Sequence, residues 1–155
     1  MRSGFALGAA VAMGFAVNVA QANVIAPDDV PFNADDLTVE ESLTGVAGDA
    51  AKGRDYFLNR RLGNCLSCHA NSDMAAEPFH GEVAPSMDGV GSRWSEAQLR
   101  AIVINSKAVF GDGTLMPGFY RTSGMNRVRE QFQGKTILDA QQVEDVVAYL
   151  LTLTD

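Results

Sequence analysis

Val143, Val146, Val147, Leu150 and Leu151 recur three and four residues apart, and Tyr149 widens the stripe. That period predicts an amphipathic helix in DAQQVEDVVAYLLTL, residues 139–153. Asp139 stands where an N-cap is needed, and Gln142 follows at capping-box spacing. A second stretch, SEAQLRAIVIN, opens on Ser95 as cap and turns Leu99, Ile102 and Val103 inward. A third helix is expected from Asp49, its N-cap, to about Leu62, with Gly63 ending it. Gly53 and Phe57 share one face of that helix. Residues 75–93 and 105–126 are dense in Gly, Pro, Ser, Thr and Asn and predict loop. No internal repeat and no multi-strand alternation stand out. The fold class expected is therefore all-α, with short helices joined by long loops. Such loops are costly to order alone, so something large and apolar is expected inside them.

The ends of the chain read differently. Residues 1–22 begin with Arg2, continue as an apolar run from Phe5 to Val17 and close on Ala20-Gln21-Ala22. This is the pattern of a secretory signal peptide, and the run is short for a membrane span. The mature chain is expected to start at Asn23, without a membrane anchor, in a periplasm. Residues 23–47 carry Asp28, Asp29, Asp35, Asp36, Glu40 and Glu41 and no basic residue. They predict an acidic N-terminal arm outside the core, with Phe32, Leu37 and Leu43 as apolar anchors for a partner. The remaining unit is residues 48–155.

Charge narrows the function classes. The 155 residues hold 12 Lys and Arg against 19 Asp and Glu, a formal charge of −7. Such a surface disfavours nucleic acid and anionic membrane. A mature chain of this size buries only a modest core, so a staple or cofactor is expected.

The only cysteines lie in GNCLSCHANS, residues 63–72, as Cys65-Leu66-Ser67-Cys68-His69. A C-x-x-C-H run in an exported chain reads as covalent attachment of one haem c. Each thiol adds to one vinyl group on the same porphyrin edge, and the two-residue spacing lets one turn reach both. The histidine that follows is held under the ring and gives an imidazole nitrogen to iron. A disulfide across two residues would add little stability. Zinc would lack ligands, because only His69 and His80 are available. A thioredoxin-like dithiol would need a βαβ context that neither flank supplies.

A sixth iron ligand could come from His80, Met74, Met87, Met116 or Met125. Met74 and His80 stand close to His69 in sequence. Met116, in GTLMPGFY, has the stiffening Pro117 after it and Leu115 and Phe119 as apolar neighbours. It is the expected ligand, and Met87, in APSMDGVG, is its rival. A thioether would raise the reduction potential relative to a second imidazole. Arg93 or Trp94, after the DGVGS run, is expected beside a haem propionate.

These pieces resemble class I cytochrome c, in which an N-terminal and a C-terminal helix cross and a late loop carries the axial methionine. In that resemblance Gly53 and Phe57 meet the C-terminal helix near Val146 and Tyr149. The blocks SLTGVAGDAAKGR, GNCLSCH, DGVGSRW and FQGKTILDAQQVEDVVAYLLTL are similar to the SoxX family, the monohaem subunit of the sulfur-oxidation complex SoxAX. This likeness runs from about Ser42 to the C-terminus. It implies His69 and Met116 on iron, although Ala84-Pro85-Ser86-Met87 departs from the family's Gly-Pro-Pro-Leu-like run.

The resemblance further implies a SoxA-like cytochrome partner bearing the catalytic haem. The pair would be an L-cysteine S-thiosulfotransferase that oxidatively joins thiosulfate to a cysteine of a SoxYZ-like carrier. This chain would accept electrons singly and pass them to a downstream cytochrome, with no catalytic residue of its own. A freestanding periplasmic electron carrier is the alternative. A haem enzyme or ligand sensor would need a distal acid–base group, for which only His80 is available.

Overall fold

A computed structural model describes residues 23–154; the proposed signal segment lies outside them. Among the described residues four α-helices form: α1 (Ala50–Leu58), α2 (Val90–Arg93), α3 (Glu96–Phe110) and α4 (Ala140–Thr152). Single 3-10 turns occur at Pro27–Asp29, Cys65–Ser67, Ser72–Met74 and Glu130–Phe132. Among the described residues there are isolated bridges but no strand. The fold of the described residues is all-α, as the helical pattern predicts. No described helix is long and apolar enough to cross a membrane.

The cause of each helix is local. In α4 the Asp139 carboxylate accepts from Gln142 N, and the Gln142 side chain accepts from Asp139 N, closing the capping box. Val143, Val146, Val147, Tyr149 and Leu150 are buried along its inner stripe. In α3 Ser95 and Gln98 make the same reciprocal cap. In α1 Asp49 accepts from Ala51 N and Lys52 N. This helix ends at Leu58, short of the expected Leu62, and residues 59–63 turn back toward the cysteines.

α1 and α4 pack most closely, with α3 and α2 also on α4. Glycine permits that crossing. A Cβ on Gly53 would lie 1.9 Å from the Asp145 carbonyl oxygen, and one on Gly48 would lie 2.2 Å from that of Glu144. Beside the crossing, Phe57 and Tyr149 meet edge to face at 5.6 Å between centroids. The expected contact of Gly53 and Phe57 with the C-terminal helix is thus present.

Two expectations are corrected. Residues 23–47 do not stand outside the core: Val39 and Leu43 are both 0 % exposed within it. Leu43, read as an anchor for a partner, is an anchor for its own chain, and Phe32 packs against the same core. Ile25 N donates to Leu43 O, Val39 N to Ala97 O and Tyr120 Oη to Ile25 O. The lock is a buried ion pair. The Arg100 Nε donates to both Glu144 carboxylate oxygens at 3.1 Å, its Nη1 donates to Val39 O, and Glu144 accepts from Leu43 N at 2.8 Å. An acidic composition suggested an arm outside the core, yet these long-range bonds satisfy its backbone in the interior.

The second correction concerns residues 105–110, expected in a loop. α3 runs on to Phe110 across a kink at Asn105 (φ −151°, ψ 81°). The carbonyls released there are taken by the following loop: Phe119 N donates to Val103 O and Tyr120 N to Ile104 O. Asn105 Oδ1 accepts from Arg121. The break therefore serves as the attachment point for residues 115–121.

Candidate haem-binding site

The cysteine stretch folds as one tight turn. Cys68 N and His69 N both donate to Cys65 O. Asn64, just before it, adopts the left-handed conformation (φ 49°) that asparagine tolerates well. Residues 81–87 then run beside the turn, with Gly81 N on Leu66 O, Ala84 N on Cys68 O and Met87 N on Ala70 O. A Cβ on Gly81 would sit 2.1 Å from Ser67 O, so only glycine allows this approach.

The turn borders a cleft of two adjoining lobes, about 520 Å³ and 510 Å³. Both lobes share Cys65, His69, Pro85, Phe110, Met116 and Phe119 in their walls. Cys68 lines only the outer lobe and Met87 only the inner one. The other inner walls are mainly apolar, including Phe57, Leu99, Val103, Leu138 and Leu150, and Arg93 is the one cation there. Each lobe is in the size range of small-molecule and cofactor sites.

His69 is oriented by a backbone carbonyl. Its Nδ1 lies 2.7 Å from Pro85 O. A carbonyl only accepts, so Nδ1 carries the proton and Nε2 keeps a free lone pair. This is the arrangement of a metal-ligating histidine. Burial pushes the Cys65 thiol up to about 12. The site therefore does not activate Cys65 as a thiolate. The donor set, the two thiols at one edge and the apolar walls all fit a covalently attached haem.

Met116 is positioned by the kinked helix. The buried Ser106 hydroxyl donates to Met116 O at 2.6 Å, and Lys107 Nζ donates to Thr114 O at 2.6 Å. Nothing in the local sequence around Ser106 marks this role.

The cytochrome c family profile matches residues 50–154. No curated protein sequence matches the chain. A solved structure, SoxXA from P. pantotrophus, is similar at 44% identity with a TM-score of 0.76, over 84% of this chain and 98% of that one. The chain is a SoxX-like member of the cytochrome c family.

Met74, Met125 and His80, the candidate ligands of this cytochrome besides Met116 and Met87, lie elsewhere. Met74 is fully buried in the packed core, and neither it nor Met125 lines the cleft. His80 is half-buried and clasps its own loop: Nδ1 accepts from Asn71 N and Nε2 donates to Met74 O. It lines neither lobe. Arg93 and Trp94 both reach the inner lobe, and the Arg93 guanidinium is bonded to backbone carbonyls of Ser86 and Asp88.

A polar network that sequence reading missed braces the far side of the turn. Asn71 Nδ2 donates to Tyr149 Oη, Tyr149 Oη donates to Asp73, and Arg54 Nε donates to the same Asp73 oxygen. The Tyr149 phenol and then Arg54 hold the Asp73 carboxyl below its ordinary range. Burial, and then the Asp73 carboxylate, push the Tyr149 phenol upward.

Proposed function

We propose that this cytochrome is the electron-accepting haem c subunit of a SoxAX-type L-cysteine S-thiosulfotransferase. Its likeness to SoxXA across nearly the whole of that chain carries the reading. A SoxA-like partner would hold the catalytic haem, and a SoxYZ-like carrier would present the cysteine that receives thiosulfate. This chain would relay electrons to a downstream cytochrome in a periplasm, after loss of residues 1–22.

Cys65 and Cys68 would hold the haem as thioethers, His69 would give its Nε2 to iron, and Met116 would be the sixth ligand. Haem c supplies a one-electron redox centre at this position. The surrounding residues do the rest. Pro85 O fixes the His69 ring, Ser106 and Lys107 fix the Met116 loop, and Phe57, Leu99 and Phe119 keep the walls apolar. If His69 and Met116 both bound the iron, small molecules would be excluded, which would suit electron transfer rather than ligand chemistry. The presence of Met116 with His69 in the walls of both lobes supports it over Met87, which borders one.

Two experiments test the reading. Met116→Leu should keep the attached haem, abolish the weak far-red sulfur–iron band of the oxidised protein and lower the reduction potential; Met87→Leu should retain the band. The reverse pattern would transfer the ligand role to Met87. Mixing with a SoxA-like partner, thiosulfate and a carrier should reduce this haem, whereas thiosulfate alone should not. Failure to form a stable complex with any such partner would favour a freestanding carrier.

A further inference from the structure

Residues 120–136 leave the cleft wall and return to it. Phe119 lines both lobes of the cleft, and its carbonyl accepts from Ile137 N and Leu138 N, each at 3.0 Å. The loop between is fastened at its root: Tyr120 Oη donates to Ile25 O, and Arg121 donates to Asn105 Oδ1. Its far half folds as tight turns, with Phe132 N donating to Arg129 O at 2.8 Å and Lys135 N to Phe132 O at 3.2 Å. A loop whose ends meet and whose tip is bonded to itself presents a fixed surface.

The charge of that surface is opposite to that of the chain. The protein has 19 acidic residues against 12 basic ones, yet residues 127–135 carry Arg127, Arg129 and Lys135 against Glu130 alone. All three cations are exposed, and none has an ion-pair partner among the described residues. Arg127 keeps its charge at a left-handed position (φ 56°) that glycine or asparagine would fill with less strain. Phe132, between Arg129 and Lys135, is 51 % exposed.

We propose that residues 127–135 dock the acidic face of a soluble protein that takes the electron from this cytochrome. The proposal rests on the electron-relay reading and adds the chemistry of the acceptor's surface and the place where it lands. One electron passes to the acceptor's oxidised centre, and no atom or proton moves with it. Three cations around one aromatic ring make a small, hydrated contact that forms and breaks quickly, as a relay needs. Permanent subunit interfaces are larger and more apolar. A membrane is the poorer occupant. Asp28 lies at the root of the loop, 3.4 Å from the Thr122 and Ser123 hydroxyls, with Asp29 next in the chain. A wide anionic plane would be repelled by these carboxylates, whereas a local acidic patch meets the loop alone.

The test uses the full haem-loaded protein, an acidic plastocyanin as acceptor and a basic mitochondrial-type cytochrome c as control. Stopped-flow absorbance reads oxidation of the reduced protein, and NMR reads amide shifts on adding plastocyanin. In the parent, the rate to plastocyanin should fall as salt rises, the reverse of what two net-negative proteins would show. Amides of residues 127–135 should shift. Arg127→Gln, Arg129→Gln and Lys135→Gln together should slow that transfer roughly ten-fold at low salt, flatten its salt dependence and remove the shifts. Transfer to the basic cytochrome, and to the neutral oxidant benzoquinone, should not slow. Phe132→Ser should weaken the contact and leave the salt slope unchanged. A parent rate to plastocyanin that rises with salt would overturn the proposal. So would loss of a SoxA-like partner by the triple variant, which would make the loop part of a permanent interface, or loop-dependent binding to anionic phospholipid vesicles. A parent haem that gives no electron to either protein removes the relay reading and the proposal with it. Transfer to plastocyanin at the parent rate by the triple variant removes the proposal alone.

Discussion

Replacing Gly53 with Ala tests whether the α1–α4 crossing sets the stability of this cytochrome. The added methyl carbon would lie 1.9 Å from Asp145 O and 2.9 Å from Tyr149 Cβ, where ordinary contact begins near 3.4 Å. The first obstacle is helix backbone, which no rotamer change removes. The helices must therefore part locally by about 1.5 Å, the difference between those two distances. Overpacking of this kind costs ~1–3 kcal/mol. Opening the Phe57–Tyr149 contact adds up to ~1 kcal/mol, and the better helix propensity of Ala returns ~1 kcal/mol. Because the obstacle is backbone, the upper end of the overpacking range applies, and the net expectation is a loss of about 2–3 kcal/mol, or a fall in Tm of roughly 8–12 °C for a chain of this size. Gly113→Ala is the control, because nothing lies within 4 Å of its Cβ position; it should change stability by less than ~0.5 kcal/mol. Far-UV circular dichroism with urea and heat, on the haem-loaded protein, measures both. A Tm for Gly53→Ala within about 2 °C of the parent would refute the close-crossing argument.

Ser106→Ala removes the hydroxyl that donates to Met116 O; if Met116 is the iron ligand proposed above, a loss of about 1 kcal/mol should speed its displacement by imidazole about five-fold, read by stopped-flow absorbance. Glu144→Ala leaves the buried Arg100 guanidinium and Leu43 N without their shared acceptor. It should cost about 3–5 kcal/mol in urea unfolding and raise amide exchange at residues 39–43; protection there equal to the parent would count against the lock. Asp73 has a folded pKa below its ordinary value of 3.8, chiefly from Tyr149 and then Arg54. Its stabilising contribution is therefore full above that ordinary value and is lost as pH falls through the depressed folded value. Asp73→Asn should flatten the stability profile below about pH 4 and leave its shape near neutrality unchanged. An acid limb identical to the parent's would remove Asp73 from the cause.

Local chemistry determined much of this protein from sequence alone. The caps at Ser95 and Asp139 and the 3.6-residue stripe of α4 needed only neighbours within a few positions, so both helix starts were legible. So was the C-x-x-C-H motif, because Cys65, Cys68 and His69 fall within one turn. The family likeness, and with it the crossing of Gly53 and Phe57 over α4, was also readable from residue blocks. What the tertiary structure decided depends on partners far apart in the chain. Leu43 N bonds to Glu144 and Val39 O to Arg100, so an acidic segment that composition marks as a tail is drawn into the core. The kink at Asn105 is stable because the loop at Phe119 and Tyr120 takes up its carbonyls. Periodicity cannot anticipate acceptors supplied from another segment. The same holds for His69, whose residue type made it a candidate ligand while only folding set Pro85 O against its Nδ1. Short-range patterns fix which elements form, because their energies are local; which polar groups may be buried is fixed only when distant segments arrive to satisfy them.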